Sequence, residues 1–197
     1  MAITINGSGI TSSEIADSAI TSTKIADGTI TNADINSSAA IAGSKLTGLT
    51  SASMPSGSVL QVVHYHYGYN STTITINSQS TTATGISKTV TPKSSNSTFF
   101  VWITLQIDSN VRYELSLHKN GSNVITGNSS QDHFAMGNNQ ETSNGHHQIN
   151  GFIKTDNSST SPLTFEVYGE CVGSGDSFVI NTHNWGENAL IIMEVEK

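Results

Sequence analysis

The C-terminal stretch Asn188-Ala-Leu-Ile-Ile-Met-Glu-Val-Glu-Lys197 carries five large apolar residues in six consecutive positions. Successive side chains of a strand point to opposite faces, so this stretch predicts a strand that is apolar on both faces. We assign the face with Ile191 and Met193 to the core of the chain's own domain. The opposite face, with Leu190 and Ile192, then needs a partner surface, and we expect this surface to come from two further copies of the chain.

The segment 99–108 has the clearest alternating pattern in the chain. Its inward-facing positions are apolar, which predicts a half-buried strand; they are Phe99, Val101, Ile103, Leu105 and Ile107. Phe100 and Trp102 fall on the outward face, where two neighbouring aromatic side chains indicate a covered surface. We therefore place Phe100 and Trp102, with Leu190 and Ile192, in a predicted trimer interface.

The region from residue 59 to the end reads as short strands separated by turns, with no credible helix. Asn120-Gly121 between two alternating runs predicts a hairpin with a type I′ turn, which needs two residues at positive φ. The pattern predicts an all-β, antiparallel two-sheet sandwich or jelly roll. The predicted strands are 59–67, 72–76, 86–91, 99–108, 112–119, 122–126, 147–155, 163–171, 177–183 and 188–195.

Isoleucine recurs every five residues near the N-terminus, at Ile10, Ile15, Ile20, Ile25, Ile30 and Ile35. A five-residue period fits neither a straight helix nor a coiled coil nor a flat strand, so the unit must combine short extended pieces with turns. Two structures remain open: a single-chain square β-helix, and a stalk in which three chains share one isoleucine axis. We favour the stalk, because so few units close no core alone.

The predicted organisation has three parts. Residues 1–50 form a non-globular repeat stalk and attachment segment, residues 51–58 a neck, and residues 59–197 a knob domain. The stalk residues Ile15, Ile20, Ile25, Ile30 and Ile35 join the predicted trimer interface.

Composition narrows the functional classes. Charged residues make up 12% of the chain, and the formal net charge is −7. Its eight Lys and Arg residues form no basic stripe, which argues against nucleic-acid binding. We expect no membrane insertion, because no apolar run approaches the length of a span. We expect no signal peptide, because residues 1–6 have neither a basic n-region nor an apolar h-region. The alternation around the single cysteine, Cys171, predicts an inert core thiol.

Several segments resemble structural proteins of tailed bacteriophages, especially marine ones. The similar segments are Met1-Ala-Ile-Thr-Ile-Asn-Gly-Ser-Gly9, the repeat block 21–35, Gly57-Ser-Val-Leu-Gln-Val-Val63, Val90-Thr-Pro-Lys-Ser-Ser95 and Ile192-Met-Glu-Val195. The resemblance implies a homotrimeric fibre whose head is similar to the jelly rolls of tumour necrosis factor and the complement globular heads. It implies that the N-terminal end attaches to other virion proteins and that the distal head meets the host. It carries no catalytic residues.

Two sets of polar residues are candidate binding groups. His64 and His66 share one face of a strand, and three copies would present six imidazoles, but no nearby Cys, Asp or Glu completes a metal site. The second set lies in predicted loops suited to a host glycan or protein; it consists of Asn138, Asn139, His146, His183 and Trp185. No nucleophile elbow or phosphate loop occurs, so we predict neither an enzyme nor a cofactor.

These expectations describe a protein of the virion surface. The leading hypothesis is a homotrimeric fibre or spike that binds the host. The main alternative is a capsid decoration or head fibre without a receptor role. A secreted cytokine-like ligand fits the expected fold but not the fibre-type repeat.

Overall fold

The computed structural model describes residues 18, 20–41, 48, 50, 53–67, 73–125, 132–137, 145–180 and 188–197. The chain divides into two units, residues 1–48 and residues 49–197. No helix in the described ranges is long and apolar enough to cross a membrane.

A turn recurs every five residues between residues 20 and 41 of the first unit. The backbone N–H groups of residues 24, 29, 34 and 39 each donate to the carbonyl oxygen three residues earlier, at 2.8–3.1 Å. Two of these turns are short 3-10 helices, Ser22–Lys24 and Asn32–Asp34, and each lies between extended residues. The period of the isoleucines is therefore the period of the turns.

The isoleucines of this repeat are exposed in the single chain. Ile20, Ile25, Ile30, Ile35 and Ile41 have exposed fractions between 38% and 57%. A single-chain β-helix would bury such a row in its own interior. The described part of the repeat thus leaves its apolar row uncovered.

The second unit is all-β and consists of two antiparallel sheets, as the sequence predicts. Its strands are β1 (Val59–Tyr67), β2 (Ile74–Ile76), β3 (Thr82–Val90), β4 (Ser97–Ser109), β5 (Tyr113–Lys119), β6 (Ser122–Asn123), β7 (Ala135–Gly137), β8 (Gly145–Asn157), β9 (Leu163–Cys171), β10 (Phe178–Ile180) and β11 (Asn188–Glu196).

The first sheet is centred on the long strand β4. One edge of β4 pairs with β11 and then with β10, and its other edge pairs with β8 along its whole length. Strand β1 continues the sheet beyond β11, and β2 pairs with β10. In the second sheet β9 lies between β3 and β5, while β6 and β7 pair with β5.

The core lies between the two sheets. The predicted inward row of β4 is buried there, and Phe99 meets Phe165 of β9 edge to face with ring centroids 5.4 Å apart. Gly169 of β9 makes room for Phe178, because a Cβ at this glycine would lie 2.8 Å from the Phe178 ring. Cys171 is buried in the same core, as the sequence predicts.

The assignment of faces on β11 was wrong. Leu190 and Ile192 are buried in the core, with 0% and 1% of their surface exposed, so they are not available for an interface between chains. The outward residues are Ile191 and Met193. The pairing with β4 decides this, because directly opposite residues share a face and Ile191 lies opposite the outward Trp102.

The predicted hairpin after β5 is confirmed. Asn120 has φ 51° and Gly121 has φ 81°, the two positive values of a type I′ turn. The returning strand β6 has only two residues, shorter than predicted. Strand β7 was not predicted; its Gly137 lies against the Tyr113 ring, where a Cβ would clash.

The Leu190→Ala substitution tests the corrected face of β11. Leu190 is fully buried, so the truncation should lower the free energy of unfolding by about 2–5 kcal/mol. Denaturant unfolding at fixed protein concentration measures the change. Met136→Ala, at a position 49% exposed on β7, is the control and should stay within about 0.5 kcal/mol of the parent. Equal effects would contradict the assignment of Leu190 to the core.

Candidate functional site

The outward side of the first sheet carries a contiguous apolar surface, which we call the outer apolar face. Its residues lie in two adjacent rows across strands β1, β11, β4 and β8. One row is Val62, Met193, Phe100 and Lys154, and the other is His64, Ile191, Trp102 and Phe152. The apolar members of these rows define the face: Val62, Phe100, Trp102, Phe152, Ile191 and Met193.

Three aromatic rings form the centre of the outer apolar face. Phe152 stacks on Phe100 with ring centroids 5.9 Å apart and meets Trp102 at 5.0 Å. Trp102 is 38% exposed, Phe152 57% and Val62 59%. We therefore treat the outer apolar face as a candidate interaction surface.

The sequence predicted part of this face. Phe100 and Trp102 lie where the alternating pattern of β4 places them. Phe152, Val62, Ile191 and Met193 were missed as surface residues. The outward position of Phe152 could have been predicted from the alternation of β8. Ile149 and Ile153 face the core, so Phe152, directly before Ile153, lies on the outward face.

The outward side of the second sheet is polar instead. Its long strands present Glu114, Ser116, His118, Thr164, Glu166, Tyr168 and Glu170. The His118 imidazole stacks on the Tyr168 ring with centroids 3.8 Å apart. The two outward sides of the sandwich therefore differ in chemistry, one apolar and one polar with an acidic bias.

A small polar cavity of about 60 Å³ opens on this second side. Glu114 and Glu170 lie directly opposite each other across β5 and β9, which brings two like charges together. Arg112 lies 3.4 Å from one Glu114 oxygen, and His133 Nδ1 lies 3.7 Å from the other. Thr81 donates a hydrogen bond to Glu170 at 2.6 Å. The Arg112 charge and the Thr81 hydroxyl offset part of the repulsion.

The candidate metal ligands His64 and His66 are adjacent on the exposed side of β1, with ring centroids 6.1 Å apart. Their cross-strand neighbours are Ile191 and Ala189, which bind no metal. In the described ranges no three His, Cys, Asp or Glu side chains are grouped to hold a metal ion. Two imidazoles do not complete a tetrahedral site.

The candidate host-binding residues cannot be placed. Asn138, Asn139, His183 and Trp185 lie outside the described residues. The backbone of His146 belongs to β8 opposite Asp108, but its side chain also lies outside the described part.

The most elaborate polar site is a buried carboxylate that the sequence did not predict. Glu194 of β11 has no exposed surface. Its oxygens accept hydrogen bonds from the backbone N–H groups of Lys93, at 2.9 and 3.0 Å, and Ser94, at 3.1 Å. The Ser97 hydroxyl donates at 2.8 Å and the Gln61 amide at 2.6 Å. These donors replace the water that the carboxylate loses on burial.

Glu194 joins three segments that lie far apart in the chain. Gln61 lies in 57–63, Lys93 and Ser94 lie in 90–95, and Glu194 lies in 192–195. These distant segments meet at one carboxylate, so they are parts of one structural unit. Glu194 shares the face of Leu190 by alternation, and that face was predicted to point outward. The structure places both residues inside.

Two other buried groups are inert. Burial raises the pKa of the Tyr113 hydroxyl to about 12. Burial also raises the pKa of the Cys171 thiol, whose Sγ lies 3.4 Å from the carbonyl oxygen of Ile76. The thiolate is the reactive form of cysteine, so a raised pKa lowers the reactivity of Cys171.

Comparison of the sequence with protein-family models and with curated proteins finds no match.

The Glu194→Ala substitution tests the role of the buried carboxylate. The change removes the acceptor of the buried Ser94 N–H and Ser97 hydroxyl, at a cost of about 1–3 kcal/mol for each buried donor, and that of the part-buried Lys93 N–H as well. We expect denaturant unfolding to show a loss of several kcal/mol. Glu166→Gln is the control: it keeps the side-chain oxygen that accepts from the Gly85 N–H at 3.2 Å and should have little effect. A stability of Glu194→Ala equal to that of the control would exclude a structural role for this network.

Proposed function

We propose that this protein is a bacteriophage virion fibre or spike that assembles as a homotrimer. Its N-terminal unit attaches to other virion proteins, and its C-terminal domain contacts the host surface. The outer apolar face is the observation that carries the assembly part of the proposal. The resemblance in the repeat block and in the three converging segments supports its location in a virion.

Two further copies of the chain are the proposed cover of the outer apolar face. Burial of apolar surface stabilises by about 25 cal/mol per Å², and large aromatic side chains bury about 150–250 Å² each. Phe100, Trp102 and Phe152 are already partly buried in the single chain, and covering only their exposed parts still supplies several kcal/mol per chain. This is comparable to the net stability of a typical domain.

The order of the strands supports a jelly roll. We leave out the short strands β2, β6 and β10 and count the other eight along the chain; they are β1, β3, β4, β5, β7, β8, β9 and β11. With these strands numbered 1 to 8 along the chain, neighbours in the first sheet follow the order 1-8-3-6. Neighbours in the second sheet follow the order 2-7-4-5. Two sheets built in this way from distant strands are typical of the double Greek key of jelly rolls.

The exposed isoleucine row supports a three-chain stalk. Each five-residue turn presents one isoleucine, and the row from Ile20 to Ile35 is uncovered in the single chain. Three such rows that face one another bury the isoleucines of all three chains. The stalk and the outer apolar face then require the same partner.

Host contact is assigned to the part of the knob that the trimer leaves free. The polar outward side of the second sheet remains in water, and loops at the ends of a sandwich are frequent binding sites. Three sites on one trimer bind a repetitive surface with an avidity far above that of one site. No enzymatic activity and no cofactor form part of this proposal.

The second candidate function is a capsid decoration or head fibre without a receptor role. The outer apolar face favours it equally, since it requires the same trimer. A virion reconstruction that places the chain on the head shell would support this candidate.

Native mass measurement tests the trimer. At micromolar concentration we expect a species of three times the 20.8 kDa chain mass. Trp102→Asp puts a charge in the centre of the outer apolar face and should give folded monomers. Met136→Asp, at the exposed apolar position on the second sheet, is the matched control and should remain trimeric. A monomeric parent, or a trimeric Trp102→Asp variant, would contradict the proposed interface.

Host binding is tested with the purified full chain. We expect the trimer to bind host cells and to compete with infection, and the monomeric Trp102→Asp variant to bind at least tenfold more weakly because avidity is lost. Flow cytometry with labelled protein measures both. Absence of binding by an intact trimer would favour the decoration role.

A further inference from the structure

A hydroxyl, a carboxylate and a carboxamide meet inside the C-terminal unit where β4 begins and β8 ends. They belong to Ser97, Glu194 and Asn157, which are 0%, 0% and 6% exposed. Ser97 and Asn157 lie directly opposite each other in the pairing of β4 with β8. A nucleophile, a base and an electrophile are therefore held together at a place with almost no exposed surface.

The Ser97 hydroxyl has a carboxylate as its base. Its Oγ lies 2.8 Å from Glu194 Oε1 and 3.2 Å from the carbonyl oxygen of Ser94. A hydroxyl has one hydrogen, and the shorter, charge-assisted bond directs it to Glu194. The backbone N–H groups of Lys93 and Ser94 in turn hold the Glu194 carboxylate in place. A serine bonded to a base that other groups orient is the arrangement that activates a hydroxyl as a nucleophile.

The Asn157 carboxamide leaves a lone pair of the Ser97 hydroxyl free to react. Its nitrogen Nδ2 lies 2.8 Å from the Ser94 carbonyl oxygen, 2.7 Å from that of Ser159 and 3.2 Å from Ser97 Oγ. A carboxamide nitrogen carries two hydrogens, and the two shorter bonds use both. The contact with Ser97 Oγ then has no hydrogen of its own. The carboxamide carbon Cγ is one bond away from this nitrogen.

The oxygen of the same carboxamide has a fixed donor. The backbone N–H of Ser159 donates to Asn157 Oδ1 at 3.3 Å. Attack on the carboxamide carbon moves negative charge to this oxygen, and a preorganised N–H group stabilises such charge. A rotation of the carboxamide about its Cβ–Cγ bond turns the carbon towards Ser97 Oγ.

We propose that Ser97 and Asn157 form an ester bond within the folded chain, with Glu194 as the general base. Glu194 takes the hydroxyl proton, Ser97 Oγ bonds to Asn157 Cγ, and the C–N bond of the carboxamide breaks. The nitrogen leaves with the proton from Glu194 as ammonia, so the carboxylate is regenerated and no other reactant is consumed. The burial of the site excludes the water that hydrolyses an ester.

The ester joins β4 to β8 by a covalent bond within the first sheet. It closes residues 97–157 into a loop, and a cross-link of this kind lowers the entropy of the unfolded chain, as a disulfide does. The inference goes beyond the proposed fibre function and does not depend on it, because all three residues belong to one chain.

Mass spectrometry of the purified full chain tests the ester. The folded chain should be lighter than its sequence by the mass of one ammonia molecule. Trypsin then releases residues 94–112 and residues 155–197, because each segment follows a lysine and ends at the next lysine or arginine. We expect these two peptides to be joined, and fragmentation of the joined product should place the bond between Ser97 and Asn157.

Three variants assign the roles of the residues. Ser97→Ala and Glu194→Gln should keep the full mass of their sequences and give two separate peptides. Ser116→Ala is the matched control and should remain linked, because Ser116 is also buried, at 7% exposed, but its hydroxyl contacts His118 in the second sheet. An ammonia loss of equal size in Ser97→Ala would place the loss at another residue and contradict the ester.

The parent chain alone decides whether the bond exists. A folded parent with the full mass of its sequence and two separate peptides would overturn the proposal, whether or not the variants fold. A folded Glu194→Gln chain that is linked as completely as the parent would overturn the role of Glu194 as the base. Neither result bears on the trimer, which native mass measurement tests separately.

Discussion

The first sheet of the C-terminal unit is apolar on both sides, and the second sheet covers only one of them. Strands β4 and β11 carry this excess, with Phe99 and Leu190 inside and Trp102 and Ile191 outside. The core between the sheets therefore covers only one of the two sides on which these strands present apolar residues. The proposed trimer follows from the need to cover the other one, and the exposed isoleucine row of the first unit is a second, separate argument for it.

The buried Glu194 carboxylate determines which face of β11 lies in the core. Both faces of β11 are apolar, so a slip by one residue would still place apolar side chains in the core. Such a slip would however move Glu194 away from the N–H groups of Lys93 and Ser94 and from Gln61. A carboxylate can be buried only where donors of this kind surround it. The network thus ties the register of β11 to β1 and to the loop before β4.

The sequence correctly predicted those elements whose residue pattern is compatible with only one local structure. The inward row of β4 is apolar and its outward row mixed, so its face was assigned correctly. Asn120-Gly121 predicted its turn because few dipeptides adopt two positive φ angles. The five-residue isoleucine period predicted recurring turns because it fits neither a helix, nor a coiled coil, nor a flat strand. Phe152 was missed because a single aromatic between polar residues gives little pattern.

The face of β11 could not be assigned from its own residues. Alternation separates Leu190 from Ile191 but does not show which of them faces the core, because both rows are apolar. Only the pairing of Ile191 with Trp102 decides, and that pairing joins residues far apart in the chain. The burial of Glu194 could not be predicted either, because its hydrogen-bond donors come from distant segments. The proposed host-binding loops remain a prediction from the sequence.

Hydroxyl-radical footprinting of the full chain tests directly whether other copies cover the outer apolar face. The modification rates of Phe152 and Met193 are compared between the parent protein and its Trp102→Asp variant, with Met136 on the second sheet as the internal reference. The account predicts that Phe152 and Met193 are modified several-fold more slowly in the parent, while Met136 reacts equally in both. Equal rates at Phe152 in the two proteins would contradict a covered face.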